Sequence, residues 1–360
     1  MSAIEEFSAG RSPIVPFKAS VPRNDGHKPN RLVDRFGRAH TYLRISVTDR
    51  CNLRCSYCMP PEGIDWKQRD ELLSFEEILR VTRVLVDMGI DKIRITGGEP
   101  LARRNLDVLI EQLAGLEGLK TIAMTTNGIL LNGQTARLRE AGLNALNISL
   151  DTLQPDRFMQ IAKRDYFDAA MSGIAEALAT GFDSLKLNVV VMAGVNEDEI
   201  LDFVDFVKDK PMNLRFIEYM PFKSNSWSQA AVFPFATMKQ TIESRYRLIL
   251  IAPEFGAVAK DFALEDYSGQ GYPGTVSFIT SMTDSFCGAC NRLRLTADGQ
   301  IKSCLFHPAE VGIRDSLRRG VDDAELERLV ASAVLQKQEA HPPMEELLQV
   351  ENRAMIEIGG

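Results

Sequence analysis

Six times between Thr41 and Pro221 a short apolar, strand-like run gives way to an amphipathic stretch, and this alternation restricts the fold more than any other feature of the chain. The strand segments read as Tyr42–Thr48, Lys92–Thr96, Thr121–Thr125, Ala145–Leu150, Leu185–Val191 and Leu214–Tyr219. Between them lie stretches such as Ser74–Met88, where Phe75, Ile78, Leu79, Thr82 and Leu85 recur at helical spacing. Ser74 followed by Glu77 reads as a capping box at its start. Strand–helix alternation implies parallel strands joined by right-handed crossovers. Six such units predict an α/β fold, a partial six-stranded version of the TIM-like barrel. A chain of 360 residues has room for that domain and a smaller one after it.

The predicted strands also say what the barrel holds. Tyr42, Arg44, Ser46 and Thr48 share one face, and Leu43, Ile45 and Val47 take the other. Lys92, Arg94 and Thr96 alternate with Ile93 and Ile95. Asn147, Ser149 and Asp151 alternate with Leu146, Ile148 and Leu150, and Lys186 and Asn188 with Leu185, Leu187 and Val189. The apolar faces suit helix packing, which turns the polar faces inward, so the lumen is expected to hold a polar ligand. The alternative is an open sheet with one solvated face, which is unusual for parallel strands.

The pattern divides the chain into an N-terminal extension (1–38), a barrel (39–222), a C-terminal domain (223–340) and a tail (341–360) ending in Gly-Gly. The extension is rich in Pro, Gly and charge and reads as loosely ordered. In the C-terminal part, Met238–Tyr246 and Val311–Gln338 read as helical. A net charge of -7 argues against non-specific nucleic-acid binding and against an anionic membrane surface. An anionic substrate would therefore need specifically placed Arg and Lys. No apolar run reaches the roughly 18 residues of a membrane span, and Met1–Ser20 lacks the apolar stretch of a signal peptide. The expected location is the cytoplasm.

The six cysteines fall in two groups, Cys51, Cys55, Cys58 and Cys287, Cys290, Cys304, with none left over. Without a secretion signal, metal or cluster ligation outranks a disulfide framework. The first group follows the first strand at its C-terminal end, where α/β barrels keep their chemistry. A C-x3-C-x2-C triad can hold three irons of a cubane and leave the fourth open to a chelating cofactor. Structural zinc would need a fourth ligand, and no histidine lies near.

With Tyr57 before its last cysteine, this triad resembles the signature of the radical S-adenosylmethionine (SAM) superfamily. Gly97-Gly98-Glu99-Pro100, directly after the second strand, resembles the superfamily's GGEP loop. The resemblance implies a 4Fe–4S cluster on Cys51, Cys55 and Cys58, with SAM chelating the open iron. It also implies that Tyr57, Gly97, Gly98, Glu99, Ser149, Asn188 and Met220 contact the cofactor.

In the second group, alternating segments around Asp298-Gly299 read as a tight hairpin that returns Cys304 to the Cys290 end. Spacing alone leaves two readings open, a Cys3His zinc site completed by His307 and a second iron–sulfur cluster. Cys287-x2-Cys290-Asn291-Arg292-Leu293-Arg294-Leu295-Thr296, with Cys304 beyond, resembles the C-terminal signature of the GTP 3′,8-cyclase family of molybdenum-cofactor biosynthesis. That resemblance spans residues 40–306 and resumes at Gly359-Gly360. It implies a second 4Fe–4S cluster facing guanine, and a C-terminal domain carrying it across the barrel mouth. GTP contacts would then be Arg44, Arg94, Thr125, Lys186, Arg292 and Arg294, the last two also assisting catalysis. Forked guanidinium groups suit a triphosphate.

The implied reaction is abstraction of the ribose 3′ hydrogen of GTP by a 5′-deoxyadenosyl radical, followed by joining of C3′ to guanine C8. The implied partners are a flavodoxin- or ferredoxin-type electron donor and cyclic pyranopterin monophosphate synthase as receiver of the product, and a homodimer is allowed for. Two rivals remain at this level. A peptide- or sulfatase-maturing radical enzyme usually carries more C-terminal cysteines than this chain. An iron–sulfur electron carrier leaves the GGEP loop and the polar lumen unexplained.

Overall fold

In the computed structural model, residues 31–359 are described apart from Ser224, Ser226, Glu254, Phe255 and Leu348. The expectation of a loose extension therefore lies, for residues 1–30, outside the described residues, as does Gly360. The strands are β1 (Tyr42–Ser46), β2 (Lys92–Thr96), β3 (Thr121–Thr126), β4 (Ala145–Ser149), β5 (Ser184–Val191) and β6 (Asn213–Glu218), followed by β7 (Arg247–Leu250), β8 (Lys260–Glu265), β9 (Gly271–Ile279), β10 (Arg292–Leu295), β11 (Gln300–Lys302) and β12 (Val311–Gly312). They form one open sheet in the order β12-β11-β10-β1-β2-β3-β4-β5-β6-β9-β8-β7.

The strands β1 to β6 are those expected from the alternation, in sequence order and parallel. The C-terminal part extends this parallel run on both sides, β10 pairing with β1 and β9 with β6. Sequence reading took β10 only as a hairpin arm. It is that as well, being antiparallel to β11, with Gly299 at φ +82° in the turn.

Outward strand residues Leu43, Ile45, Ile93, Ile95, Leu146, Ile148 and Leu187 are fully buried beneath the helices. Each such side chain contributes about 1.5–3 kcal/mol by leaving water. The helix Phe75–Asp87 shows how local sequence sets the layer. The Ser74 hydroxyl accepts from the Glu77 N–H (3.2 Å), and the Glu77 carboxylate accepts from the Ser74 N–H (2.7 Å). The helix then turns Ile78, Val81 and Leu85 onto the sheet.

Three expectations change. The predicted helix Val311–Gln338 is β12 followed by the helices Arg314–Arg318 and Asp323–Leu335. The break falls at Gly320, whose φ of +77° ends one helix, and at Asp322, whose side chain caps the next by accepting from Glu325 N–H (2.8 Å). The helix expected at Met238–Tyr246 runs over Phe235–Glu243. Within residues 31–38, read as part of the loose extension, Leu32 and Asp34 are buried. Leu32 is fully so, and the Arg31 N–H donates to Met88 O (2.9 Å). Among the described residues no helix is long and apolar enough to cross a membrane.

Candidate active site

The inward face of the parallel strands encloses a cavity of about 1070 Å³. It runs from strand N-terminal ends (Lys92, Thr121, Ser184) to the loops beyond their C-terminal ends (Cys51, Gly97, Asn127). Every residue that sequence and resemblance assigned to iron, SAM or GTP lines this one space: all six cysteines, Tyr57, Gly97, Gly98, Glu99, Ser149, Asn188, Met220, Arg44, Arg94, Thr125, Lys186, Arg292 and Arg294.

The two triads occupy opposite ends. Cys51, Cys55 and Cys58 follow β1, at the C-terminal end of the parallel strands. Cys287 and Cys290 precede β10, and Cys304 follows β11, which runs back antiparallel, so all three lie at the N-terminal end. This corrects the expectation that the second group bridges the barrel mouth. The strand β10 enters the sheet parallel to β1 and carries its cysteine loop to the far end.

At the first end the GGEP loop is clamped to the chain leading into the triad. Gly98 N–H donates to Thr48 O (2.8 Å) and Glu99 N–H to Arg50 O (2.7 Å). A Cβ on Gly98 would come within 2.3 Å of Arg50 O, and one on Gly97 within 2.7 Å of Thr48 O, so glycine is required by close approach of two backbones. The Glu99 carboxylate accepts from Thr126 hydroxyl (2.8 Å), Asn127 N–H (2.8 Å) and Leu101 N–H (3.1 Å). Burial nevertheless outweighs these bonds and raises it to about 7. Burial likewise raises Asp151, which accepts from Val190 N–H (2.8 Å) and pairs with Tyr57, to about 6.

Between the ends, side chains stack by strand register. Arg294, Arg44 and Arg94 are direct neighbours across β10, β1 and β2, and Arg292, Tyr42 and Lys92 form the next row toward the N-terminal ends. Burial, with mutual repulsion among Arg44, Arg94, Arg292 and Arg215, brings Arg44 down to about 10. Burial and the nearby Arg215 bring Lys186 down to about 8. Burial pushes the Tyr42 phenol up, but Arg94, Arg44 and Lys92 outweigh it and bring it down to about 7. Packed cations that depress one another favour an anion in their midst.

The C-terminal tail closes one side. Ala354 and Ile356 pack with Met59 beside Cys51 and Cys58. Gly359, at φ +87°, accepts on its carbonyl from Arg294 Nη1 (2.8 Å). A Cβ there would meet Ser46 Cβ at 2.7 Å, so the strand interior admits glycine alone.

The cysteines are free and half-buried. Burial raises Cys51 to about 11 and Cys58 to about 12, and pushes Cys55 well up, with neighbouring acidic groups adding to it. Three such thiols give up their protons only to a strongly charged centre, which iron supplies. Among the described residues no three His, Cys, Asp or Glu side chains converge on a single ion. A cubane, with each cysteine on a different iron, asks for no such convergence. His307 does not line the cavity that the second triad lines, and its Nδ1 accepts from Ala309 N–H (3.2 Å).

Residues 45–207 match the family model described as Radical SAM superfamily, and residues 212–343 the model described as Molybdenum Cofactor Synthesis C. A protein of Arabidopsis thaliana named GTP 3′,8-cyclase, mitochondrial, is 47% identical over 337 residues, 93% of this chain and 85% of its own length. The GTP 3′,8-cyclase of Moorella thermoacetica is 44% identical over 334 residues, 91% of this chain and 100% of its own length. The chain belongs to the GTP 3′,8-cyclase family. Human molybdenum cofactor biosynthesis protein 1 is 48% identical over 90% of this chain, which spans 50% of that longer protein. The fold is shared with Streptococcus suis SuiB bound to S-adenosylmethionine, at 15% identity and a TM-score of 0.57 over 81% of this chain and 68% of that one.

Within this family member, sequence reasoning missed Arg215. It lines the cavity from β6, in register with Asn188 and Ser277, and among the described residues its buried Nε has no hydrogen-bond partner. The signal was present, because strand alternation in Leu214–Tyr219 puts Arg215 on the polar face. Asp151 and Tyr42 were placed on that face without a role.

Proposed function

We propose that this chain is a radical SAM enzyme converting GTP to its 3′,8-cyclised form, the first step of molybdenum-cofactor biosynthesis. The observation that carries the reading is one cavity with a cysteine triad at each end and a basic middle. Cys51, Cys55 and Cys58 would hold the 4Fe–4S cluster that binds SAM, and Cys287, Cys290 and Cys304 a second cluster at the guanine end. When bound, the first cluster and SAM would supply the 5′-deoxyadenosyl radical that takes the ribose 3′ hydrogen; C3′ would then join guanine C8, and one electron from the donor with one proton would quench the resulting nucleotide radical to give an isomer of GTP.

The protein's own part is placement and charge. Tyr57, Gly97, Gly98, Glu99, Ser149, Asn188 and Met220 would shape the SAM end. The glycines let the GGEP backbone lie against residues 48–50, and Glu99 offers a carboxylate to the cofactor's amino group. Arg44, Arg94, Thr125, Lys186, Arg292 and Arg294 would hold the triphosphate and neutralise it inside an otherwise acidic protein. Walls of the cavity that hold the cofactor and substrate together would keep the reacting atoms in contact and shorten the time available for quenching.

In this reading residues 39–222 carry the cofactor half, 223–340 the substrate half, 341–360 the tail and 1–38 an extension. A flavodoxin- or ferredoxin-type protein would supply electrons, and cyclic pyranopterin monophosphate synthase would take the product. A cytoplasmic location and a homodimer go with the proposal. Anaerobic incubation of reconstituted protein with SAM, reductant and GTP, followed by mass spectrometry, tests it. GTP-dependent 5′-deoxyadenosine together with an isomer of GTP is the expected result. SAM cleavage indifferent to GTP overturns the cyclase reading.

A further inference from the structure

Lys337 is a lysine with only 3% of its surface exposed, placed just beyond the helix Asp323–Leu335. Its ammonium donates to Arg292 O (3.0 Å) and Cys290 O (3.3 Å) and lies 3.5 Å from Cys290 Sγ. The groups that would balance its charge are sulfurs, those of Cys290 and Cys304, while its cationic neighbours are Arg38 and Arg292. A buried ammonium without an opposite charge is expensive, so this lysine is matched to thiolates rather than to a carboxylate. Arg38 strengthens the same corner. Its guanidinium donates to Cys287 O (2.8 Å) and to Glu339 O (2.6 Å), tying the second cysteine loop to the chain just after Lys337.

We propose that Lys337 is a positioning residue for the second cysteine triad, holding the Cys290 loop and raising the reduction potential of the cluster bound there. This rests on the reading of that triad as a cluster site. A cation donating to a ligating sulfur stabilises the more negative, reduced state, and hydrogen bonds to cluster sulfurs are a principal means of setting potential. The first triad has no such cation bonded to its sulfurs among the described residues, where Cys51 Sγ accepts from Leu53 N–H (3.4 Å).

The test is an EPR-monitored redox titration of the anaerobically reconstituted full chain, with the second cluster's signal identified as the one surviving in a C51A/C55A/C58A variant. K337M and K337Q are expected to move its midpoint to more negative potential, K337M further, while K337R stays near the unsubstituted protein. Unchanged midpoints and g-values in K337Q and K337M overturn the assignment. If K337M fails to retain iron, K337Q and K337R decide in the same way, since both keep a hydrogen-bond donor and only one keeps the charge. Iron analysis that reports one cluster per unsubstituted chain rather than two defeats the second-cluster reading itself, an outcome distinct from an unmoved potential.

Discussion

The two cysteine triads use the same three-thiol chemistry at opposite ends of one cavity, in opposite electrostatic surroundings. At the C-terminal end of the strands, burial drives Cys51 to about 11; the Glu99 carboxylate adds to this and the nearby Arg54 opposes it without outweighing it, while Asp151 adds to the rise of Cys55 and Cys58. At the N-terminal end, burial also pushes Cys290 up, but Arg292 and Lys337 outweigh it and bring it down to about 6. An acidic end suits a cofactor that brings a sulfonium and an amino group. The basic rows of Arg292, Arg294, Arg44 and Arg94 between the two ends suit a polyphosphate. In the proposed reading, this difference would orient a cofactor and a polyphosphate within one space.

The sharpest way to break this comparison is to remove one triad at a time. C51A is expected to reduce SAM cleavage to background, whereas C287A is expected to lose the GTP-derived product, both read by mass spectrometry of 5′-deoxyadenosine and nucleotides. Equal loss of cleavage in both variants would show that the ends do not divide the work.

Next in size is the basic middle. R292A and R294A each remove a charge-assisted donor, the second of them buried, worth about 1.5–3 kcal/mol. The GTP dissociation constant should therefore rise roughly ten- to a hundred-fold in calorimetry. SAM binding measured in parallel serves as the control for the other end.

A smaller effect is expected from G98A. Its new methyl group meets Arg50 O, and the strain should cost about 1–3 kcal/mol. SAM affinity should fall with thermal stability, while a G271A variant, where a Cβ meets nothing within 4 Å and φ is not positive, reports the loss of glycine without the clash.

The mildest test reads the two ends without cofactor. In cluster-free protein at pH 7, Cys290, with its thiol at about 6, should be about nine-tenths thiolate. Cys51, at about 11, should be almost wholly protonated. Iodoacetamide labelling followed by peptide mass spectrometry should thus mark Cys290 first. Its rate should climb between pH 5 and 7 and then level off, and Cys51 should respond only near pH 10 and above. Equal labelling of both at pH 7 would erase the contrast.

Much of this was readable in one dimension because its causes are local. Strand alternation sorted Arg44, Arg94, Asn147, Lys186 and Asn188 onto the inward face, and all of them line the cavity. Spacing identified both cysteine groups, and Ser74 with Glu77 announced a helix start that is present. What remained out of reach depends on which distant segments pair. That β10 joins β1 in parallel, sending the second triad to the far end, follows from packing across about 250 residues of separation. The same long-range contacts bring Gly359 to Arg294 and Lys337 to Cys290, since neither periodicity nor spacing relates residues so far apart. The sequence by itself determined the parallel α/β core, the polar lumen and the two cysteine groups, because side-chain period and residue spacing are properties of neighbouring residues. Only the tertiary structure decided that those two groups lie at opposite ends of one cavity with a basic middle, because charge balance at a buried site is summed over every element that packs around it.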